Sequence, residues 1–363
     1  MIEGIIASGI LFWLLNQENS DSGLDGIQGL NYLDLFSGCG GFHKALVKAG
    51  IPLNTTYFSE VDHDAIGNYQ YNFPNAQPLG DIRKISANDI PTKINLCTFG
   101  FPCQDLSLAG GKKGITRKTR SGLFFEVIRL LQELDQQGKC PDLIIFENVK
   151  GLLTHDRGNT FEKVKKAITD LGIYEFAEWQ LCNTDWFLPQ NRERIFFVAY
   201  RGSKKGLQGI LPIEGGLGSD SEKRKRTTHI PVSINSSDQK TQYFRDKRGS
   251  FTITANEPQG LVTVDLAYPD SAANGSKFIQ DKARTLTTNQ PPGLLLKNKR
   301  IRRFTEIECE RLQGFPDDWT KYGIDSNGKK YEITKWQRYK LLGNSISVPV
   351  AEVIFQNSKP FLI

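Results

Sequence analysis

Three observations predict an α/β fold, a parallel sheet with covering helices, joined to a smaller loop-rich domain. From Asn31 to about Tyr200, short apolar β-rich runs alternate with segments of helical period, the pattern of a sheet covered on both faces. Two of these runs end in chemically pointed pairs. Asn95 to Phe101 leads into Pro102-Cys103, and Leu143-Ile144-Ile145-Phe146 leads into Glu147-Asn148. Beyond Arg201 the periodicity fades and Gly, Ser, Asn, Pro, Lys and Arg dominate. Ligands of open parallel sheets bind outside the carboxyl ends of the strands, so a thiol and a carboxyl group would face one crevice.

The strands expected in chain order are Tyr32–Phe36, Thr56–Val61, Leu79–Ile82, Leu96–Phe101, Leu143–Phe146, Phe176–Cys182 and Ile195–Tyr200. Each is a short run rich in β-branched, aromatic or apolar residues. Helices are clearest at Leu123–Gln137 and Thr160–Leu171. The second has Asn159 or Thr160 as its cap and Gly172 as its stop. The loop-rich stretch contains an echo, Phe251 to Leu261 against Arg284 to Leu294, which reads as two similar strand-and-turn units. Helical patterning returns at Thr305, and Ser347–Phe355 reads as a terminal helix packing on the first domain.

A chain of 363 residues is long enough for one α/β domain plus a smaller one. Its net charge of +6 is unevenly spread. Residues 201–300 carry 17 Lys and Arg against 9 Asp and Glu, and the rest of the chain carries 29 against 31. The basic excess therefore lies in one segment, which points to a phosphate-bearing partner. Six cysteines without C-x-x-C spacing, and four scattered histidines, argue against a disulfide scaffold and against a metal site. Gly4–Leu15 is apolar but too short to span a bilayer, and Met1-Ile2-Glu3 lacks the basic flank of a secretory signal. No membrane association is expected, and a reducing cytoplasm fits.

The first strand ends in Phe36-Ser37-Gly38-Cys39-Gly40-Gly41-Phe42, a turn whose backbone amides can approach an anionic cofactor group. Glu60 closes the second strand about 20 residues later, where an acid would meet a ribose, and Asp81 ends the third. Each acid alone reads equally well as a helix cap or a surface charge. Cys97 reads as a small buried hydrophobe. Cys103 differs, because Pro102 stops the strand and Gln104 to Gly111 form a small polar turn. Lys112, Lys113, Arg117, Lys118 and Arg120 follow with no acid between Leu106 and Phe125. Such a loop would favour a thiolate and a polyanionic substrate together. Gln190, Arg192 and Arg194 are spaced by two, so an extended chain projects them from one face and Asn191 and Glu193 from the other. A surface salt-bridge strand would share that pattern, whereas two guanidiniums aimed at the crevice would suit a carbonyl oxygen or a phosphate.

Over nearly all of residues 31–357 the chain resembles the cytosine-C5 DNA methyltransferases of the bacterial or phage modification type. The matching motifs, in family order, are Asp34–Phe42, Glu60 to Asp62, Gly80-Asp81-Ile82, Phe101-Pro102-Cys103-Gln104, Glu147-Asn148-Val149, Gln190 to Arg194, Arg311 to Pro316, and Gly343-Asn344-Ser345. The resemblance implies a Rossmann-like S-adenosylmethionine-dependent methyltransferase domain at 31–200, a target-recognition domain at 201–300, and a C-terminal segment, 301–363, returning to the catalytic domain. Residues 1–30 depart from the family as an N-terminal extension: an added helix, an interaction segment or an early start codon.

The roles that follow are those the resemblance implies. Cys103 adds to carbon 6 of a flipped-out cytosine while Glu147 bonds to ring nitrogen 3. Arg194 holds the base carbonyl oxygen, and Arg192 supports the loop or a phosphate. Asn148 fixes the exocyclic amino group or the glutamate turn, and Gln104 and Gln190 complete the substrate side. Phe36, Gly38, Gly40, Gly41, Glu60, Asp81, Ile82, Pro102 and Asn344 bind the cofactor. The substrate implied is double-stranded DNA, bound by a monomer, with a restriction endonuclease acting on the same site as a compatible partner. A tRNA cytosine-5 methyltransferase is the alternative within the family, disfavoured by the long basic insert. A catalytically silent DNA-binding protein is disfavoured by intact Cys103, Glu147 and Arg194. A nicotinamide-dependent oxidoreductase would leave all three unexplained.

Overall fold

The computed structural model describes residues 29–102, 120–202, 209–213, 262–264, 278–280, 283–286, 293–295 and 301–362. Cys103, Gln104, the basic loop up to residue 119, most of the N-terminal extension and most of 201–300 lie outside the described residues.

A seven-stranded sheet organises the chain. Its strands are β1 (Leu30–Leu35), β2 (Leu53–Ser59), β3 (Gln77–Pro78), β4 (Leu96–Phe99), β5 (Leu143–Val149), β6 (Phe176–Asn183) and β8 (Glu193–Tyr200), in the order β3-β2-β1-β4-β5-β8-β6. All pairings from β3 to β5 are parallel, but β8 runs antiparallel to both β5 and β6. The expected parallel sheet thus carries one antiparallel strand, and the reason is chain length. Only Thr184 to Arg192, which include the two-residue β7 (Gln190–Asn191), separate β6 from β8, too few for the crossover a parallel pair needs.

Both faces of the central strands β1, β4, β5 and β8 are largely buried, which is why these strands read as continuous apolar runs. On β5, Leu143 and Ile145 enter one core with α1 (Gly41–Lys48), while Ile144 and Phe146 enter the other with α3 (Phe124–Gln136). Helix α2 (His63–Asn72) follows β2. The short α4 (Gly151–Thr154) and the longer α5 (Asn159–Thr169) follow β5. The residue preceding α5 is Gly158, at φ +92°, rather than Asn159 or Thr160, and the Thr160 hydroxyl instead lies 2.7 Å from His155 Nδ1. The third strand is Gln77–Pro78 and not Leu79–Ile82. Gly80 turns the chain at φ +78°, and a proline is tolerated at this sheet edge.

Described residues of the basic segment supply β9 (Val262–Val264), β10 (Phe278–Gln280), β11 (Ala283–Arg284) and β12 (Gly293–Leu295). With β13 (Ile301–Arg303) they form a four-stranded antiparallel sheet ordered β10-β9-β12-β13, while β11 pairs with β7. The chain then returns through α6 (Glu306–Gln313), the hairpin β14–β15 (Tyr322–Ile324 and Lys330–Glu332), α7 (Lys335–Asn344) and α8 (Val348–Leu362). Helix α8 runs beyond the expected Ser347–Phe355, with Pro360 in its last turn. It packs on α1 through Phe355 against Phe42 and a 2.8 Å ion pair between Glu352 and Lys48.

One acid lies inside this core. Asp34, fully buried on β1, accepts hydrogen bonds from Thr98 Oγ1 at 2.9 Å and Tyr69 Oη at 3.2 Å. Burial raises its carboxyl from an ordinary 3.8 to about 7, opposed by those hydrogen bonds. Between the two values the folded chain holds a proton that the unfolded chain has lost, so this group's contribution to stability falls as pH rises through that window. The urea midpoint of Asp34→Asn, relative to the native chain, should therefore climb from pH 4 to pH 7 and level off above. A difference independent of pH would show that the acid is not penalised by burial.

Candidate active site

The strand order reverses at β1, between β2 and β4, and the carboxyl ends of β1, β2, β4 and β5 meet there, the place where α/β sheets bind ligands. The turn after β1 is built by exclusion of side chains. Phe36 at φ +54° and Gly38 at φ +53° take left-handed backbone, common only for glycine. A Cβ on Gly38 would meet nothing within 4 Å, so this residue faces open space. One on Gly41 would lie 2.7 Å from Ile346 Cγ1 and 2.9 Å from Ser345 Oγ, so Gly41 admits the C-terminal segment.

Glu60 is held ready at the end of β2. Its Oε2 accepts from the Gly38 amide at 3.0 Å, and its Oε1 accepts from Val61 and Asp62 amides at 2.7 and 3.0 Å. Phe36 is half-buried, its ring packed on the core that contains Ile82. Asp81 lies in a turn beyond the third strand rather than at a strand end, and Arg83 grips its carboxylate through Nε at 2.9 and 3.0 Å, which holds the acid below its ordinary range. Ile82 is a core residue whose carbonyl accepts from Arg129 at 2.9 Å. Asn344 is exposed at the end of α7.

On the other side, β4 and β5 bring the second pair of motifs together. A Cβ at Gly100 would lie 3.7 Å from the Glu147 carbonyl and 3.9 Å from its Oε2, so the chain passes Glu147 two residues before Pro102. Asn148 is buried with both ends of its amide engaged, Nδ2 donating to the Phe101 carbonyl at 3.1 Å and Oδ1 accepting from the Val149 amide at 2.9 Å. That geometry braces the Phe101–Pro102 turn. Arg194 Nε stands 2.9 Å from Glu147 Oε1, both side chains being nearly buried. The N–H does not point along that line, and among the described residues neither atom has a hydrogen-bond partner, so both keep bonding capacity within an ion pair.

The three residues spaced by two do alternate in burial with Asn191, yet they part company. Arg192 is buried and its Nη2 donates to the Ser345 carbonyl at 2.5 Å, which places it between the catalytic sheet and the C-terminal segment. Gln190 is fully buried, and among the described residues neither its Oε1 nor its Nε2 has a hydrogen-bond partner. The geometry therefore gathers Glu147, Arg194 and the end of β4, and assigns Arg192 to bracing.

Several supporting residues escape a reading of local sequence. Trp319 Nε1 donates to the Cys39 carbonyl at 2.9 Å, Lys340 pairs with Asp62 at 2.5 Å, and Tyr331 donates to Asp64 at 3.0 Å. All three lie in the C-terminal segment and lock the loops that carry Gly38 and Glu60. Among the described residues no helix is long and apolar enough to cross a membrane, and no cluster of three His, Cys, Asp or Glu could hold a metal ion.

Comparison with known proteins agrees with this geometry. Residues 30–359 match the family model described as C-5 cytosine-specific DNA methylase. The type II methyltransferase M.Bsp6I of Bacillus sp. (strain RFL6) is 32% identical over 337 residues, covering 90% of this chain and 98% of its own. The type II methyltransferase M.HhaI of Haemophilus parahaemolyticus is 30% identical, covering 91% and 94%. Among solved structures, the S. pombe Dnmt2 methyltransferase shares the fold at a TM-score of 0.61 and 19% identity, covering 92% of this chain and 100% of its own. With the strand order, the convergent motifs and these matches in agreement, the chain belongs to the C-5 cytosine-specific DNA methylase family and is a DNA cytosine-5 methyltransferase.

Proposed function

We propose that the enzyme methylates carbon 5 of a flipped-out cytosine in a specific double-stranded DNA sequence, using S-adenosylmethionine and a covalent adduct on Cys103. The observation that carries this reading is the Glu147–Arg194 pair at 2.9 Å beside Gly100, where β4 leads into Pro102-Cys103. The cofactor fits the residues present: open space at Gly38, a partly exposed ring at Phe36, and a Glu60 carboxylate already oriented by three amides. Gly40, Gly41, Asp81, Ile82, Pro102 and Asn344 complete the proposed contacts. When bound, the cofactor supplies an electrophilic methyl group on a sulfonium.

Carbon 5 of cytosine is a poor nucleophile, so the protein must first activate it. Cys103 thiolate adds to carbon 6, while Glu147, having taken up a proton from solvent as the base enters, acts as a carboxylic acid that hydrogen-bonds or protonates ring nitrogen 3 and so takes up the developing charge. Arg194 holds both Glu147 and the base carbonyl oxygen. Asn148 and Arg192 act as braces, and Gln104 and Gln190 border the substrate. After methylation a base removes the carbon 5 proton and Cys103 departs by elimination. None of this is open to a stacked base, so DNA contacts must offset a flipping cost of a few kcal/mol. A cytoplasmic monomer paired with an endonuclease of the same specificity, in a type II restriction-modification system, suits this chemistry.

Transfer of tritiated methyl to DNA by the purified chain, followed by sequencing of the modified cytosines, tests the proposal; absence of transfer to any duplex would defeat it. Sequence choice is assigned to residues 201–300, whose Lys and Arg would position the duplex while polar side chains read base edges. Exchanging this segment for a relative's should move the methylated cytosine and leave cofactor affinity unchanged. Neutralising Lys223, Arg224, Lys225 and Arg226 should weaken all DNA binding alike, and lower the salt slope by about 0.9 per lost phosphate contact. A folded, active chimera that keeps its original target would overturn the assignment.

A further inference from the structure

The loop that carries Glu60 is held from outside by the C-terminal segment, and each link of that hold is a direct contact. Two of the three amides that orient the Glu60 carboxylate belong to its own loop, those of Val61 and Asp62. Asp62 then turns the chain into α2, its Oδ1 accepting from the Asp64 and Ala65 amides at 3.0 and 3.1 Å. Its other oxygen, Oδ2, accepts from Lys340 Nζ of α7 at 2.5 Å. One carboxylate therefore joins the Glu60 loop, the start of α2 and α7.

Helix α7 reaches the other half of the crevice as well. The Leu341 carbonyl lies 4.0 Å from Cys39 Sγ in the glycine turn, and α7 ends at Asn344, beside the Ser345 whose Oγ closes on Gly41. Helix α2 is shaped to receive the same segment. A Cβ on Gly67, in the middle of α2, would lie 2.6 Å from Tyr331 Oη and 2.9 Å from the Ile324 carbonyl of the hairpin β14–β15, and Asn68 Nδ2 donates to the Trp319 and Tyr322 carbonyls at 2.8 and 2.9 Å. Those contacts fix the body of α2, while Lys340 grips the residue at which the loop enters it. The Lys340 and Asp62 side chains are 44% and 25% exposed, and an ion pair so placed contributes little to folding. Its consequence is orientation. Without Lys340, Asp62 still caps α2, but the loop ahead of it loses its outer support, and Glu60 loses the fixed amides that aim its carboxylate.

We propose that Lys340 is a positioning residue for the cofactor: by holding Asp62 at the junction of loop and helix, it keeps the Glu60 carboxylate aimed at the ribose hydroxyls of S-adenosylmethionine. The inference rests on the cofactor reading above. Because the ribose is common to S-adenosylmethionine and its product S-adenosylhomocysteine, the support serves both equally and adds nothing to the methyl-transfer step itself.

In calorimetric titrations of the full chain without DNA, Lys340→Met should bind both ligands about tenfold more weakly, the low end of what a hydrogen bond to a charged group contributes. With duplex DNA as substrate, KM for S-adenosylmethionine should rise by the same factor and kcat at saturation should hold, while the urea midpoint stays close to that of the native chain. Asp62→Asn keeps a side-chain oxygen to cap α2 and loses the charge pair, so it should reproduce the loss, and it carries the test if Lys340→Met does not fold. Since the two residues act through one contact, the double variant should bind no more weakly than either single one. Unchanged cofactor affinity in both variants, or losses that multiply in the double variant, overturn the proposal alone. A fall in kcat with KM intact, or a lowered urea midpoint with kcat and affinity falling together, overturns it too. Failure of the native chain to bind either ligand overturns the cofactor reading and this proposal with it.

Discussion

Replacing Cys103 with serine is expected to abolish methyl transfer while leaving S-adenosylmethionine affinity nearly unchanged. An alcohol occupies similar space to a thiol but is far less ionised, and only the anion adds to carbon 6 at a useful rate. Lys112, Lys113, Arg117, Lys118 and Arg120 surround the position in sequence with positive charge and would favour the thiolate further. The contrast within the chain is Cys97, six residues earlier. It is fully buried on β4, and burial pushes its thiol well above the ordinary range. Cys97→Ser should therefore cost stability and spare the chemistry. Tritiated-methyl transfer and calorimetric binding of the cofactor, measured on both variants, separate the two effects. Near-normal methylation by Cys103→Ser would remove the nucleophile from the mechanism.

How much of this was legible in the sequence depends on how local each constraint is. Strands β4, β5 and β8 were readable because burial on both faces makes them continuous apolar runs, and their ends carry the pairs that prompted the site. The strand expected at Leu79–Ile82 failed because Ile82 is apolar for the sake of a core beside a turn, and Gly80 ends the extended chain before it. Asp81 falls in the turn after Gly80 instead of at a strand end, and Arg83, two residues on in the sequence, takes its carboxylate. Arg192 could not have been read. Its spacing with Gln190 and Arg194 is real, but its partner, the Ser345 carbonyl, is 153 residues away. The ties of Trp319 and Lys340 to the loops that carry Gly38 and Glu60, across 280 and 278 residues, belong to the same class. The antiparallel β8 lay between these cases, since the short link after Asn183 already forbade a crossover.

Glu147→Gln is expected to lower the single-turnover rate by roughly 10²-fold or more, the usual size of general-acid assistance, with a smaller loss in DNA affinity. The amide can still donate a hydrogen bond to ring nitrogen 3, so recognition of the base survives. It cannot deliver a proton as carbon 6 is attacked, so the charge that develops on the ring goes unrelieved. The change also strips Arg194 of its counter-ion, 2.9 Å away in a site where both side chains are nearly buried, and an uncompensated buried charge is costly. Part of any loss could then come from a displaced arginine rather than a missing proton. The double variant Glu147→Gln/Arg194→Ala separates these origins, because groups that act through a shared contact give non-additive effects. If Arg194 works chiefly by holding the glutamate, the double variant should be little slower than Glu147→Gln alone. If it holds the cytosine carbonyl independently, the two losses should multiply. A collapse of DNA affinity with a normal single-turnover rate would make Glu147 a structural residue and leave protonation of the ring to another group.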